Sequence, residues 1–438
     1  KSINGYDYKK VTRNLLETLL ENRGIINTKE FLNPSKDVLN HWSVIRNMKE
    51  AVFMFHAHIC GHIHCIIDSD CDGYSSFGVL GNAIKEYQKM GMEANFTYHT
   101  HDKKTHGIFM EELKKLPYFD DITLIIVPDG GSFDYKEHKE LHDLGKDVLI
   151  LDHHSPEQDD ELLGTTALVV NPQLDDSPNK NLSGAGVVYK FINALDEFYN
   201  TNISPSLLDY VAVGNVGDLM DMKELETRYL VLEGMKLLSE DRDKRLNGQA
   251  IVGSPLLQEM LKDNEDKDKP LQEITFATLG WEICPIFNGV ARMGKKQDKE
   301  DLFKAMLKIE EIREYQPRRK KKTDEKPPLE YRTLVSEAVR QAKNAKNRQN
   351  TAKKRITEKL EKNFTQDFIQ GNKILVIKMD KKIGEPSLAG LIANNVATKY
   401  RKPCLVLIEN KKGYYSGSGR DPTGIVQIGE LKLWRNVM

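Results

Sequence analysis

Long apolar runs are missing from this chain. The longest, such as ITLIIV and PCLVLI, fall far short of the ~20 residues a membrane-spanning helix needs, so no membrane role is expected. Cysteine is sparse, five residues with no C-x-x-C pair, which argues against a disulfide framework and fits a reducing compartment. Net charge is nearly absent: 64 basic against 65 acidic side chains give −1, so any nucleic-acid role must be argued from how charge is distributed. The Lys1 end lacks a basic leader followed by an apolar run, and the expected localisation is cytoplasmic. Internal repeats and low-complexity tracts are lacking as well.

What is present is a chain of 438 residues, 39% hydrophobic, long enough to bury two or three cores. The first sixty residues read as helices, with apolar residues of YKKVTRNLLETLLENRG at helical spacing before a glycine stop. From His64 the pattern alternates: IHCIID, the helix GVLGNAIKEYQKMG, ANFTYH, ITLIIV, a helix through HKELHDLG, DVLILD and ALVVN. Such alternation predicts an α/β fold with a mostly parallel sheet covered by helices. Residues 183–240, 250–264 and 299–315 read as helical, with a polar loop at 263–270. A charged, proline-bounded connection at 317–328 carries PRRKKK (317–322). Residues 329–364 carry strong helix formers and no β features, which predicts one long helix bridging two lobes. A second small α/β unit follows in KILVIKMD, LAGLIANNVATKYR and PCLVLIE.

Chemistry concentrates in four segments: CIIDSDCDG (65–73), LIIVPDGG (124–131), VLILDHH (148–154) and VAVGNVGDLMD (211–221). The first three put carboxylates or imidazoles just past a β-rich run, where a parallel sheet opens its ligand crevice. Asp68, Asp70, Asp129, His153 and Asp218 are oxygen and imidazole donors suited to Mn2+ or Mg2+. Carboxylates packed as in DSDCD repel and protonate unless a cation holds them, whereas capping a helix requires only one aspartate. Metal-assisted hydrolysis at phosphorus is the predicted chemistry. Cys60, Cys65 and Cys71 sit among His56, His58, His62 and His64, but they lack the two compact ligand pairs of a zinc site and read as structural.

In this order the four segments resemble the DHH phosphoesterase superfamily, Asp152-His153-His154 being the signature triplet. SGAGVVYKFINAL (183–195), ETRYLVLEGMKLL (226–238), FNGVARMG (287–294) and the pair GLIANNVATKYRKPCLVLIE with YYSGSGR (390–420) narrow the resemblance to RecJ-like single-strand-specific exonucleases. The resemblance implies a parallel-sheet DHH domain joined by a long helix to a second, smaller and incomplete α/β domain. Its expected boundaries are an N-terminal helical segment 1–60, the catalytic domain 61–240, a helical connector 241–365 and a partial C-terminal domain 366–438. The glycine-histidine motif and OB-type module of relatives are not found before Met438, so weaker or less processive DNA binding is expected.

The same resemblance implies two divalent cations held by Asp68, Asp70, Asp129, His153, Asp218 and His64. Asp129 would bridge them, Gly73 would make the tight turn, and Asp72 would support the loop or stand behind the ligands. Asp152 would orient His153, and His154 would face the scissile phosphate. Arg292, after Asn288, corresponds to the arginine that approaches the phosphate backbone. Ser418 and Arg420 correspond to a pocket for the 5′-terminal phosphate, and Lys103 stands where relatives often carry an arginine near that end. The implied activity is 5′-to-3′ hydrolysis of single-stranded DNA threaded between two lobes, with replication or recombination proteins as partners. Two alternatives stand beside it: a phosphodiesterase for oligonucleotides or cyclic dinucleotides, and a catalytically silent scaffold of the RecJ type.

Overall fold

The computed structural model describes residues 15–101, 106–156, 165–174, 176–262, 273–317, 327–380, 386–409 and 414–422. Lys103, most of PRRKKK and the 263–270 loop fall outside them. The described chain divides into two compact units, one of residues up to 287 with 300–339 and one of 288–299 with the residues from 340 onward.

In the first unit, after the helix α1 (Met48–Ala57), five strands form one parallel sheet: β1 (His62–Ile67), β2 (Asn95–Thr100), β3 (Leu124–Pro128), β4 (Asp147–Leu151) and β5 (Leu168–Val170). Their order is β2-β1-β3-β4-β5. β1 and β3 are buried at every position, which is why their sequences read as apolar runs rather than as alternation. β2 forms one edge and is partly exposed. The chain leaves β1 toward β2 on one side and returns to β3 on the other. The carboxyl ends of β1 and β3 therefore flank the point where the winding reverses, the place where such sheets leave a crevice.

Seven helices of this unit matter for the site or its surroundings: α2 (Cys71–Lys89), α3 (Met110–Leu113), α4 (Tyr135–Asp143), α5 (Gly184–Tyr199), α6 (Leu208–Gly217), α7 (Leu225–Leu246) and α8 (Cys284–Met293), the last running on into the second unit. α2 packs on both α5 and α6, and α7 lies along α6. The residues before α1 dock on the same body: Asn40 accepts from Lys190 through its carbonyl and donates to Glu226, and the Arg228 guanidinium lies 3.8 Å from the Phe31 ring centre.

The expected helix over 299–315 ends early. α9 (Lys296–Met306) stops, and β6 (Ile312–Tyr315) pairs antiparallel with β7 (Glu330–Thr333). β7 also corrects the expectation of no β structure after residue 329. Of its four residues EYRT only Tyr331 and Thr333 favour β structure, too few to show a period, and the strand is fixed by pairing and by Arg332, 3.8 Å from the Tyr315 ring centre. The long helix is real: α10 (Leu334–Glu361) runs 28 residues across the division between the units.

In the second unit, β8 (Leu375–Met379) pairs parallel with β9 (Cys404–Glu409), which pairs antiparallel with β10 (Tyr415–Arg420). The helix α11 (Ala389–Tyr400) covers this mixed sheet, and its core of Ile392, Val396, Leu375, Ile377 and Val406 also takes in Ile356 of α10. YYSGSGR is thus an edge strand.

Candidate metal centre

Each acidic segment enters the crevice for a local reason. Asp68 follows the buried end of β1, and Asp70 caps α2, its carboxylate accepting from the backbone N–H of Asp72 and Gly73 at 3.1 and 3.2 Å. Asp72 sits in the first turn of α2 and crosses to the start of α5, where it accepts from the N–H groups of Gly184 at 2.6 Å and Ala185 at 3.2 Å. Helix amino termini favour such negative charge. Asp129 follows β3 with a left-handed backbone, φ 66°, and its N–H donates to the Leu151 carbonyl at the end of β4. A Cβ on Gly184 would lie 2.5 Å from the Asp129 Cβ, so only glycine lets α5 begin this close to the carboxylate.

His153 stands at the centre. Its Nε2 is 3.1 Å from Asp129 Oδ1 and 3.6 Å from both Asp72 Oδ2 and Asp218 Oδ2. Three triads converge here: Asp129, His153 and His154; Asp72, His153 and Asp218; and Asp68, Asp70 and His106, each with donor atoms within 4.8 Å of one another. Asp218 arrives as the residue that ends α6. The structure thus brings Asp68, Asp70, Asp129, His153, His154 and Asp218 into this crevice.

The donor set fits divalent cations on independent grounds. Asp68 Oδ1, Asp129 Oδ1 and His153 Nε2 are buried without a hydrogen-bond partner among the described residues, a costly condition that a bound cation relieves. Burial pushes the carboxyls of Asp68 and Asp72 up, and that of Asp129 well up, with repulsion from neighbouring aspartates adding to it. Asp218 is pushed up to about 6 by burial and by Asp72. Mostly buried acids that resist ionising on their own suit a site whose charge a cation balances.

Other expectations change. His64 does not join the cluster: its ring lies within the sheet, Nδ1 on Thr97 Oγ1 and Nε2 on His99 Nδ1, each at 2.7 Å. His64 lies three residues before the end of β1, and a side chain there projects from a face of the sheet, away from the crevice at its tip. Asp152 does not orient His153 through a ring nitrogen. It binds His154 instead, Oδ1 to Nδ1 at 2.7 Å, while also accepting from the N–H groups of His153, His154 and Ser132. That hydrogen bond holds His154 protonated, its pKa raised to about 9.

Two members were missed as cluster residues. Asp72, expected to support the loop or stand behind the ligands, instead shares a triad with His153 and Asp218; the third acid of DSDCD is its signal. His106, whose Nδ1 lies 2.7 Å from Asp68 Oδ2, was signalled only by a histidine-rich stretch. The cysteine and histidine group before β1 disperses: His58 pairs with Thr123 and Asp147, His56 with Tyr199, and all five cysteines are unpaired.

The second unit carries the remaining candidates. Asn288 and Arg292 lie one turn apart on α8, joined by Arg292 Nη1 to the Asn288 carbonyl at 3.3 Å. On β10, Arg420 Nη1 donates to Ser418 Oγ at 2.9 Å, and both side chains reach the first turn of α11, where a Cβ on Gly390 would lie 3.2 Å from Ser418 Oγ. This is a small polar corner at a helix start, a setting suited to an anion.

A parallel α/β domain with acids and imidazoles at its switch point defines the class. Residues 59–215 match the DHH family, N-terminal domain, and this chain is similar to proteins of the RecJ type. It is 33% identical over 414 residues to the putative SPbeta prophage-derived single-strand DNA-specific exonuclease YorK of Bacillus subtilis, covering 92% of this chain and 65% of YorK. The single-stranded-DNA-specific exonuclease RecJ of Bacillus subtilis is 25% identical over 380 residues, 85% of this chain and 41% of RecJ. The chain therefore spans less than two thirds of the length of these relatives. Among solved structures, RecJ of Thermus thermophilus in complex with Mn2+ aligns over 96% of this chain and 53% of its own, with TM-score 0.69 and 19% identity. An exonuclease RecJ bound to manganese aligns over 90% and 86%, with TM-score 0.65 and 18% identity. At these identities the solved structures establish the fold.

Proposed function

We propose that this protein hydrolyses single-stranded DNA to nucleotides from the 5′ end, using two divalent cations, Mn2+ or Mg2+. The observation that carries the reading is the convergence of Asp68, Asp72, Asp129 and His153 on one buried crevice with donor atoms left unsatisfied. Cations in this cluster supply charge neutralisation at the scissile phosphate and a water activated at neutral pH. Asp68, Asp70, Asp72, Asp129, His153 and Asp218 hold them, and His106 steadies Asp68. His154, kept cationic by Asp152 and half exposed beside the cluster, faces the phosphate and donates a proton to the leaving oxygen. In the second unit, Ser418, Arg420 and the first turn of α11 receive a terminal phosphate, and Arg292 with Asn288 contacts the strand backbone. Lys103, outside the described residues, stays with the 5′ end in this proposal.

The test is release of nucleotides from 5′-phosphorylated single strands with Mn2+, repeated with Asp129→Ala. The variant should lose turnover while its circular dichroism stays native. Nucleotide release that persists in the variant refutes the site. Equal turnover of dinucleotides and long strands identifies the oligonucleotide phosphodiesterase instead, and strand binding without any turnover identifies a scaffold.

A further inference from the structure

A second group of metal-type donors lies on the open edge of the sheet, apart from the carboxylate crevice. His99, the last residue but one of β2, and His101, just after that strand, are two residues apart and come from the same face. With Glu112 of α3 they offer three donor atoms within 4.8 Å of one another. His101 is almost wholly buried at 1% exposure.

The hydrogen bonds around these rings decide which nitrogens face the gap. His99 Nδ1 lies 2.7 Å from His64 Nε2, His64 Nδ1 lies 2.7 Å from Thr97 Oγ1, and His62 Nε2 lies 2.8 Å from the same hydroxyl. The network is satisfied when His99 donates to His64, His64 donates to Thr97, and Thr97 donates to His62. On the other side, His101 Nε2 donates to the Gly107 carbonyl at 2.9 Å. His99 thus spends its Nδ1–H on His64 and His101 its Nε2–H on the Gly107 carbonyl, while His101 Nδ1 donates to the Glu112 carboxylate at 2.8 Å, a proton that a cation bound at Nδ1 displaces. Imidazoles that bind metal are held in this way, the far N–H fixed by a carbonyl, carboxylate or second polar group.

We propose that His99 Nε2, His101 Nδ1 and a Glu112 carboxylate oxygen bind one zinc-type ion, with water in the fourth position. Two imidazoles and one carboxylate favour a borderline transition metal over Mg2+ or Mn2+. Metal–donor bonds of about 2.0–2.1 Å set tetrahedral donors roughly 3.3 Å apart. The His101 Nδ1 to Glu112 Oε2 separation of 2.8 Å is shorter than this and the 4.8 Å outer limit of the group is longer, so small side-chain rotations close the site. The ion ties the end of β2 to α3 and to the backbone at Gly107, next to His106 and its contact with Asp68. The carboxylate chemistry of the crevice does not depend on it.

Full-length protein stripped by a chelator, then equilibrated with Zn2+ and excess Mg2+ and desalted, is assayed for bound zinc, with Co2+ as the visible ligand-field probe. The zinc count should fall by one per chain in His99→Asn and in His101→Asn. Glu112→Gln, a partly exposed change compatible with folding, should weaken zinc binding at least tenfold. His64→Gln should weaken it about 10- to 100-fold through the outer contact. Asp129→Ala should keep this zinc and its four-coordinate Co2+ bands. A zinc count unchanged in His99→Asn and Glu112→Gln overturns the proposal, as does a count that falls by one only in Asp129→Ala.

Discussion

Gly184→Ala places one methyl group where α5 meets the crevice. The added Cβ would sit 2.5 Å from Asp129 Cβ, 2.6 Å from its Oδ1 and 2.7 Å from its Cγ, against an ordinary carbon contact of about 3.5–4.0 Å. Separation by about 1 Å is forced. Helix propensity alone would favour alanine by about 1 kcal/mol. Against this, overpacking costs about 1–3 kcal/mol, and pushing α5 back stretches the 2.6 Å hydrogen bond from Gly184 to the Asp72 carboxylate, a charged bond of about 1.5–3 kcal/mol. A net loss of about 2–3 kcal/mol should register in urea unfolding. The displaced Asp129 should also lower Mn2+ affinity in calorimetry and reduce turnover by about 10²-fold. Gly371→Ala, where an added Cβ meets nothing within 4 Å, is the control and should stay within about 0.5 kcal/mol of the parent. A Gly184→Ala protein with parental stability and parental Mn2+ affinity would refute the claim that this contact positions Asp129.

Asp129→Asn removes a carboxyl whose ionisation burial and the neighbouring aspartates oppose, so near neutral pH the metal-free variant should melt higher than the metal-free parent. Only the parent should gain the roughly 2.7 kcal/mol expected from Mn2+ at 100 times its dissociation constant; differential scanning calorimetry with and without chelator checks both signs. His138 of α4 is buried and its pKa is lowered to about 4 by desolvation. The unfolded chain therefore binds the proton first, and this contribution to stability is full above about 6.5 and lost as pH falls toward 4. His138→Gln should flatten that part of the stability–pH curve relative to the parent; identical curves would exclude it. Arg420→Ala should weaken binding of 5′-phosphorylated single strands, cut the log–log salt slope by about 0.7 and leave Mn2+ binding unchanged, measured by fluorescence anisotropy across a salt series.

Period and composition sufficed for the parallel sheet, because strands buried on both faces must be apolar throughout and helices between them must be amphipathic. β6 and β7 were illegible: four residues carry no usable period, and their partner strand decides them. At the site, Asp68, Asp129 and His153 were legible because each follows a buried apolar run and so has to emerge at the sheet's carboxyl end.

What remained belonged to through-space geometry. Asp152 adjoins both histidines in sequence, and only the fold shows that its carboxylate takes the Nδ1 of His154 rather than that of His153. His64 matches the superfamily spacing before Asp68, yet its ring is spent on Thr97 and His99 of a neighbouring strand. Asp72 looks like a third loop acid until α5 arrives beside it. The amino-acid order determines which segments become strands and helices and where their acids emerge, since those depend on neighbours along the chain. Which side chains share an ion, a proton or a hydrogen bond is decided by elements that can lie more than a hundred residues apart, as Asp72 and Gly184 do, and only the folded chain brings them within reach.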